Sequence, residues 1–394
     1  TGLSRAVMIP HRAAVHNGRA SDLAIGAPWS RPGSAFAASP FAASQWAEAM
    51  VSWLPLHHDM GLVGCLFLCL TRGLDLWLLN PTTFLARPKL WLENLGRHGR
   101  CFAPAPNFGY QLCVERLSPE DLAGLDLSSW RAAMTGAEMV RPETVRDFLE
   151  LTAGTGFRPE AFRPCYGLAE GTLAVTFDAK GQGLRTLPLP AGADSGLGLA
   201  EVACVGEPVT DTEVRIAAPD GSSLAPGKIG EVQVRGPSVF AGYYNDREAT
   251  ADTLVDGWLH TGDLGFLEGG ELYLTGRTKD VLILHGHNLM PHELEWLAES
   301  AVGGGGAQRC GAFSIARGAA GEEPIVVLEV ERADSETLAA IEHDVRQRIG
   351  RALSLPLADV VFVRRGKIPK TTSGKVQRRQ LRQLYLDGEL ERLS

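Results

Sequence analysis

The sequence predicts an α/β fold for the larger part of the chain, followed by a small α+β module, and three changes of texture carry that reading. From about residue 84 to 175, helical apolar patterns alternate with short apolar runs, as when helices cover a largely parallel sheet. Between about 200 and 275 the chain turns to short β-rich runs punctuated by Gly-Glu pairs. After residue 280, helical and strand-like segments mix in a stretch short enough for one compact unit.

In the first region, Ser118-Pro119-Glu120-Asp121 has the chemistry of a helix start: a Ser cap, Pro in the first turn, and acids facing the positive helix end. Arg141-Pro142-Glu143 opens a second helix in the same way. The runs TEVRI, GEVQVRG and GELYLTG read as strands of a β-subdomain, with Pro219-Asp220-Gly221 as a turn between two of them. Beyond residue 280 come a helix opened by Pro291, two strands (CGAFSI and PIVVLEV), and a long helix from Ser335. That helix sets Leu338, Ile341, Val345, Ile349 and Leu353 on one face. A strand (DVVFVRR) and a basic helix close the module, and Gly303 to Gly306 reads as a loop.

With 394 residues, 45% of them hydrophobic, the chain can bury a sizeable core in two or three domains. The longest apolar stretch, Met60 to Leu70, is far short of the ~20 residues that cross a bilayer, so no membrane span is expected. The first twenty residues are mixed and polar, unlike a secretory signal, which makes a cytoplasmic protein the expectation. Seven scattered cysteines in apolar context read as buried reduced thiols rather than disulfides or a metal site. A net charge of −8 argues against a nucleic-acid partner, although the stretch from Arg364 to Arg382 is strongly basic.

The common phosphate-loop, dinucleotide, serine-hydrolase and zinc-protease motifs are missing, and six other segments remain. In Trp53-Leu-Pro-Leu-His57-His58-Asp59, a strand-like run ends in adjacent ionisable groups, although a histidine there is more often structural. Gly136-Ala137-Glu138 and Tyr166-Gly167-Leu168-Ala169-Glu170 follow. In the second, an aromatic beside a glycine can stack on a base and a carboxylate can ligate Mg²⁺. In Thr261-Gly262-Asp263 the acid can accept both hydroxyls of a ribose, and Arg277 in Gly276-Arg277-Thr278-Lys279-Asp280 can donate to them or to a phosphate. A turn aspartate and a surface ion pair are the plainer readings. Pro369-Lys370-Thr371-Thr372-Ser373-Gly374-Lys375 is a loop that ends in a lysine, suited to reaching an anionic centre, though such loops are more often solvated surface.

In this order the six segments resemble the adenylate-forming superfamily of acyl-CoA synthetases, fatty acyl-AMP ligases, peptide-synthetase adenylation domains and luciferases. The stretches WLPLHHDMGLVG, APNFGYQLCV, DLSSWRAAMTGAEMVRPET and YGLAEGTL are most similar to the fatty acyl-AMP ligases, as is Ala169 where other branches carry Thr. The resemblance implies a large adenylating domain over residues 1–278 and a mobile lid over 279–394. It implies ATP and Mg²⁺ as cofactors, a fatty or other carboxylic acid as substrate, and a phosphopantetheine thiol, of an acyl carrier protein or of CoA, as acceptor.

Residue by residue, Gly136, Ala137, Glu138, Tyr166 and Gly167 would line the nucleotide pocket, and Glu170 would hold the metal. Asp263 and Arg277 would grip the ribose, with Lys279 as the hinge. Lys375 would be the adenylation lysine, and His58 with Asp59 would lie near the acyl end.

Two departures qualify this. Thr1 to Val7 resembles only the tail of the family's phosphate loop, with Thr1 at the nucleotide, Arg5 where many members carry Lys, and Ala6 where Gly is usual. The expectation is therefore an incomplete sequence, a split enzyme or a fragment, with an N-terminal half as a further partner. The stretch from Thr176 to Val205 resembles a shortened form of the inserted segment that hinders CoA use in carrier-loading ligases. Carrier loading is the expectation, acyl-CoA synthesis the alternative, and a non-catalytic carrier-binding fragment the alternative of another class.

Overall fold

A computed structural model describes residues 5–25, 49–178, 181–190, 201–284, 287–302, 310–316, 322–331, 334–371 and 375–393. The chain forms two compact units, one of Ser4–Leu187 with Glu201–Thr275 and the other chiefly of Gly276–Ser394.

The first unit is built on a seven-stranded sheet. Its parallel part consists of Ala49–Ser52 (β1), Asp75–Leu78 (β2), Cys101–Ala105 (β3), Trp130–Thr135 (β4) and Phe162–Gly167 (β5). Ala174–Phe177 (β6) continues the sheet antiparallel to β5. Thr186–Leu187 (β7) and Val202–Ala203 (β8) pair with each other, and Glu207–Pro208 (β9) completes the large sheet. The strand order is β2-β1-β3-β4-β5-β6-β9, so the direction of strand addition reverses between β1 and β3.

The expected alternation over 84–175 is therefore present, and it begins earlier, at residue 49. Nine- to eleven-residue helices such as Lys89–Arg97 and Pro142–Thr152 are too short to hold in water alone. Burial decides for them: Trp91, Leu92, Leu95, Val145 and Phe148 are fully buried, and each side chain of this size contributes about 1.5–3 kcal/mol. Trp91, Tyr110, Trp130, Phe148 and Phe162 form one aromatic layer, with ring centroids 4.9–6.1 Å apart. On helix His11–Ile25 the buried Asn17 donates to Ala174 O (2.8 Å) and accepts from Ala174 N–H (3.1 Å). A side-chain amide thus satisfies backbone groups of β6.

The expected β-subdomain is a sheet of Glu213–Ala217 (β10), Gly230–Arg235 (β11), Leu254–Val255 (β12), Trp258–Glu268 (β13) and Glu271–Arg277 (β14). The helix expected at Ser118 does not form. Ser118 N–H and Oγ both bond Asp121 Oδ2 (2.9 and 3.1 Å), but the chain makes only successive turns and reaches Gly124 in the left-handed conformation (φ +78°). Cap chemistry specifies a start; Gly124 stops it after one turn.

In the second unit, Leu282–Leu284 (β15) pairs with His287–Leu289 (β16), while Cys310–Ala316 (β17), Glu322–Val330 (β18) and Asp359–Arg364 (β19) form a three-stranded sheet. Helices Pro291–Glu299, Ser335–Leu353 and Arg378–Leu386 complete it. Leu338, Val345, Ile349 and Leu353 are buried as the spacing predicts, with Ile341 packed at the core's margin. The Gly303–Gly306 loop lies outside the described residues. All seven cysteines are unpaired, six of them buried, and burial pushes the Cys65 thiol up to about 12. Such thiols are inert.

Candidate functional site

The sequence-predicted residues of the first unit gather at the carboxyl ends of the parallel strands, the edge at which open α/β sheets bind ligands, next to the strand reversal. After β1 the chain runs through Trp53 to His58, which begins a short helix, Asp59–Gly61. His58 Nδ1 lies 2.8 Å from Asp59 Oδ1, and Met60 N–H reaches the same oxygen at 2.7 Å. His58 and Asp59 are thus held together as a pair, partly exposed at the strand end. A π-helical turn, Leu62–Phe67, follows directly.

After β4, Gly136 is fixed by close packing, since a Cβ there would sit 2.8 Å from the Cys165 carbonyl oxygen. Ala137 takes a positive φ of 68°, a conformation that costs a non-glycine residue of order 1–3 kcal/mol and marks functional turns. Glu138 turns back, and its Oε1 accepts from Phe108 N–H (2.7 Å) in the first turn of helix Asn107–Arg116. Its carboxylate therefore has a structural task that the resemblance does not supply. Thr135 Oγ1, buried at the end of β4, has no hydrogen-bond partner among the described residues.

After β5, Gly167 leaves no room for a side chain, because a Cβ would overlap the Leu173 carbonyl. The turn Ala169–Gly171 then carries Glu170, whose Oε1 accepts from Tyr243 Oη (2.7 Å). Burial and the neighbouring Glu170 push the Tyr243 hydroxyl up to about 12, so it stays a donor. Residues 6–8 bond backbone to backbone with 241–244, and the Arg5 guanidinium lies 5.3 Å from the Tyr243 ring. The segment that resembles the phosphate-loop tail thus adjoins the Glu170 partner. Thr1 lies outside the described residues.

The tightest element is a pair 97 residues apart in sequence: Tyr166 Oη donates to Asp263 Oδ2 at 2.6 Å, both side chains buried. The local fold explains how Asp263 turns inward. Gly262 adopts φ +69°, its N–H bonds Glu231 Oε1 (3.2 Å), and the β11–β13 register slips between Glu231 and Gln233. This is a glycine bulge, which re-aims the next side chain. Asp263 N–H is held by Thr261 Oγ1 (3.0 Å).

Sequence reasoning missed Tyr243 and Glu231. The Phe-Ala-Gly-Tyr-Tyr run carries no motif of its own, and Glu231 was legible only as a strand residue. Arg277, Lys279 and Lys375 belong to the second unit. There Lys279 sits in the turn Thr278–Asp280, and Lys375 N–H bonds Thr371 Oγ1 (3.1 Å). The basic stretch from Arg364 to Arg382 is largely tied up within this unit. Arg365 pairs with Glu331, Lys367 with Glu391, Lys370 with Glu329, and Arg378 with Glu295.

A family model described as AMP-binding enzyme matches residues 1–244, more than half of the chain. The chain belongs to the AMP-binding enzyme family. Among its relatives, a medium-chain fatty acid–acyl-carrier-protein ligase of Moorena producens is 36% identical over 364 residues, 86% of this chain and 61% of that protein. A long-chain fatty acid–AMP ligase of Mycobacterium tuberculosis is 36% identical over 374 residues, 87% of this chain and 63% of the relative. An acyl-CoA synthetase of Caulobacter vibrioides matches at the same 36%, over 87% of this chain and 62% of that one. The chain thus spans less than two thirds of the length of these relatives. A structure from a study of fatty acyl-adenylate ligases of E. coli and L. pneumophila superposes with a TM-score of 0.84 at 32% identity, covering 98% of this chain and 68% of that one. Among the described residues, no helix of this AMP-binding enzyme is long and apolar enough to cross a membrane, and no group of three or more His, Cys, Asp or Glu side chains could hold a metal.

Proposed function

We propose that the protein of which this chain is part activates a carboxylic acid of the fatty class with ATP as an acyl-AMP and passes the acyl group to the phosphopantetheine thiol of an acyl carrier protein. The observation that carries the reading is the buried Tyr166–Asp263 pair beside the Gly136–Ala137 turn. It sets an aromatic face and a carboxylate where an adenosine could stack and bond through its ribose. The names of the relatives support the acid and the acceptor. In this reading residues 1–278 adenylate and 279–394 serve as the lid, Thr1 and Arg5 lie toward the phosphates, and the location is the cytoplasm. An N-terminal portion like that of the relatives would complete the protein.

Adenylation joins a carboxylate oxygen to the α-phosphorus and releases pyrophosphate, bringing anions together. Lys375 would neutralise that charge, and Arg277 would add a ribose contact. Glu170 fits a Mg²⁺ site: it offers the hard oxygen donor this ion takes, and a single protein carboxylate is enough for a metal bound mainly through substrate phosphates and water. Bound there, Mg²⁺ would offset phosphate charge. Thioester formation then needs the thiol to reach the acyl carbon as AMP leaves, with His58 and Asp59 toward that end. A lid turning about Lys279 would expose the site for this second step.

Two observations bear on the acceptor. The described flanks of the 176–205 segment are strapped to β14: Arg185 pairs with Glu271, and Val205 N–H bonds Leu272 O (2.9 Å). Such an anchored segment would restrict entry of free CoA and favour a tethered arm. The acyl-CoA synthetase name of one relative favours CoA instead. Pyrophosphate exchange with a panel of acids tests adenylation. Mass spectrometry of products formed from acyl-AMP with holo carrier protein or CoA tests the acceptor. Exchange with no acid would remove the enzyme reading in favour of a carrier-binding module, and efficient acyl-CoA formation without carrier preference would make this an acyl-CoA synthetase. Lys375→Ala is expected to abolish exchange while leaving transfer from preformed acyl-AMP largely intact, because its charge is needed only while carboxylate and phosphate are joined.

A further inference from the structure

The amino ends of the parallel strands, opposite the crevice, carry a second concentration of charge. Arg100 directly precedes β3, Arg131 is the second residue of β4, and Arg158 caps the turn Pro159–Ala161 that leads into β5. Three arginines thus stand at the amino ends of three adjacent parallel strands. Arg131 and Gly136 are five residues apart along β4 and its exit, which separates the cluster from the Gly136–Ala137 turn by roughly 16 Å at ~3.3 Å per residue.

A local irregularity places Arg131 there. Cys101 pairs with Trp130 and Phe102 with Ala132, so β4 has one residue more than β3 at this point, and Arg131 is the extra one. A bulge interrupts the ladder and re-aims its extra side chain, a device that recurs beside functional sites. Arg131 is half-buried, and its Nε, fully buried, has no hydrogen-bond partner among the described residues. Burial first, then the like charges of Arg158 and Arg100, push its pKa below the ordinary arginine value, yet a guanidinium stays charged. Among the described residues no acid offsets these charges at Arg131. The neighbouring Arg163 on β5 differs: it faces the charge of Asp178 and donates to the Ile25 carbonyl (3.1 Å).

The geometry points to a binding site for a small phosphate-bearing anion at the amino edge of β3, β4 and β5, built on Arg131 with Arg158 and Arg100. Charge and shape give the class. One carboxylate would neutralise one of three positive groups, whereas phosphate or pyrophosphate carries more charge and offers paired oxygens to planar guanidinium forks. A half-buried guanidinium at a bulge suits a compact anion better than a broad acidic surface. The site is separate from the crevice at the carboxyl ends, and it does not depend on the acyl-AMP reading.

The test is calorimetric titration of pyrophosphate into the protein as its gene encodes it, at fixed ionic strength, beside Arg131→Met, Arg131→Lys and Arg158→Gln, with thermal melts of each. Arg131→Met is expected to weaken pyrophosphate binding at this site by about tenfold or more, the scale of one lost charge-assisted hydrogen bond. Arg131→Lys, which keeps the charge and loses the fork, should fall between, and Arg158→Gln should weaken binding about threefold or more. Without ligand, Arg131→Met should melt no earlier than the parent, because it relieves like-charge repulsion and an unpartnered donor. Pyrophosphate bound equally well by all four proteins lies in the crevice, and the proposal is overturned. If Arg131→Met melts earlier, Arg158→Gln decides, since that residue is exposed: unchanged binding there overturns the site, and weakened binding supports it. Loss of binding to phosphatidylglycerol vesicles in the variants, with no pyrophosphate bound by the parent, would make the cluster a lipid-surface contact and overturn the small-anion site.

Discussion

Asp263 shows how a single carboxylate is prepared for work. It is buried, yet a bulge at Gly262, a hydroxyl at Thr261 and the phenol of Tyr166 hold it in one orientation. A group fixed in advance loses little freedom on binding a ligand, so its bonds count nearly in full. Asp263→Ala should weaken ATP binding by about 1–3 kcal/mol, the usual consequence of leaving charged-group partners unmet; titration calorimetry reads this directly, and an unchanged affinity would remove Asp263 from the site. Glu138 illustrates the opposite case. Its motif matched, but its carboxylate is engaged at the start of helix Asn107–Arg116, so an effect of Glu138→Ala on melting temperature is as much expected as one on nucleotide affinity.

Between elements, glycines set the distances. Gly167 ends β5 against the Leu173 carbonyl, and Gly167→Ala must push the two backbones apart, at a cost of typically 1–3 kcal/mol or more for overpacking. A melting-temperature drop is the expected result, and unchanged stability would show that β6 can shift freely. This residue marks a limit of reading from sequence. Its place in a Tyr-Gly-Leu-Ala-Glu run pointed to the nucleotide, whereas the packing that demands it involves a strand antiparallel to its own, which periodicity does not reveal. Elements with long single-faced patterns, such as Ser335–Leu353 and the core strands β17 to β19, were legible because burial and spacing agree. Ser118 was misread because capping is local and Gly124 acts six residues on. Tyr243 and Glu231 were illegible because they serve the site through contacts 73 and 31 residues away in sequence.

At the scale of the molecule, the outer strand of the large sheet carries exposed apolar side chains. β2 lies at the end of the strand order, and Trp77 and Leu78 on it are 44% and 49% exposed. Among the described residues β2 pairs on one side only, and an apolar edge strand of that kind is a template for another chain. This 394-residue chain by itself should therefore self-associate with rising concentration, and Leu78→Lys should suppress the effect in light scattering. The inner end of the same sheet carries the opposite arrangement. Trp53, directly after β1, is stacked on Phe84 at 4.0 Å and meets Phe108 edge-on at 5.4 Å, and its indole nitrogen is buried without a hydrogen-bond partner among the described residues. An indole held dry and unbonded emits at short wavelength, and Phe108, which it touches, carries the amide that Glu138 grips. The crevice therefore contains its own optical probe: nucleotide or acid entering beside β1 and β3 should change the fluorescence of Trp53, and Trp53→Phe should abolish that signal.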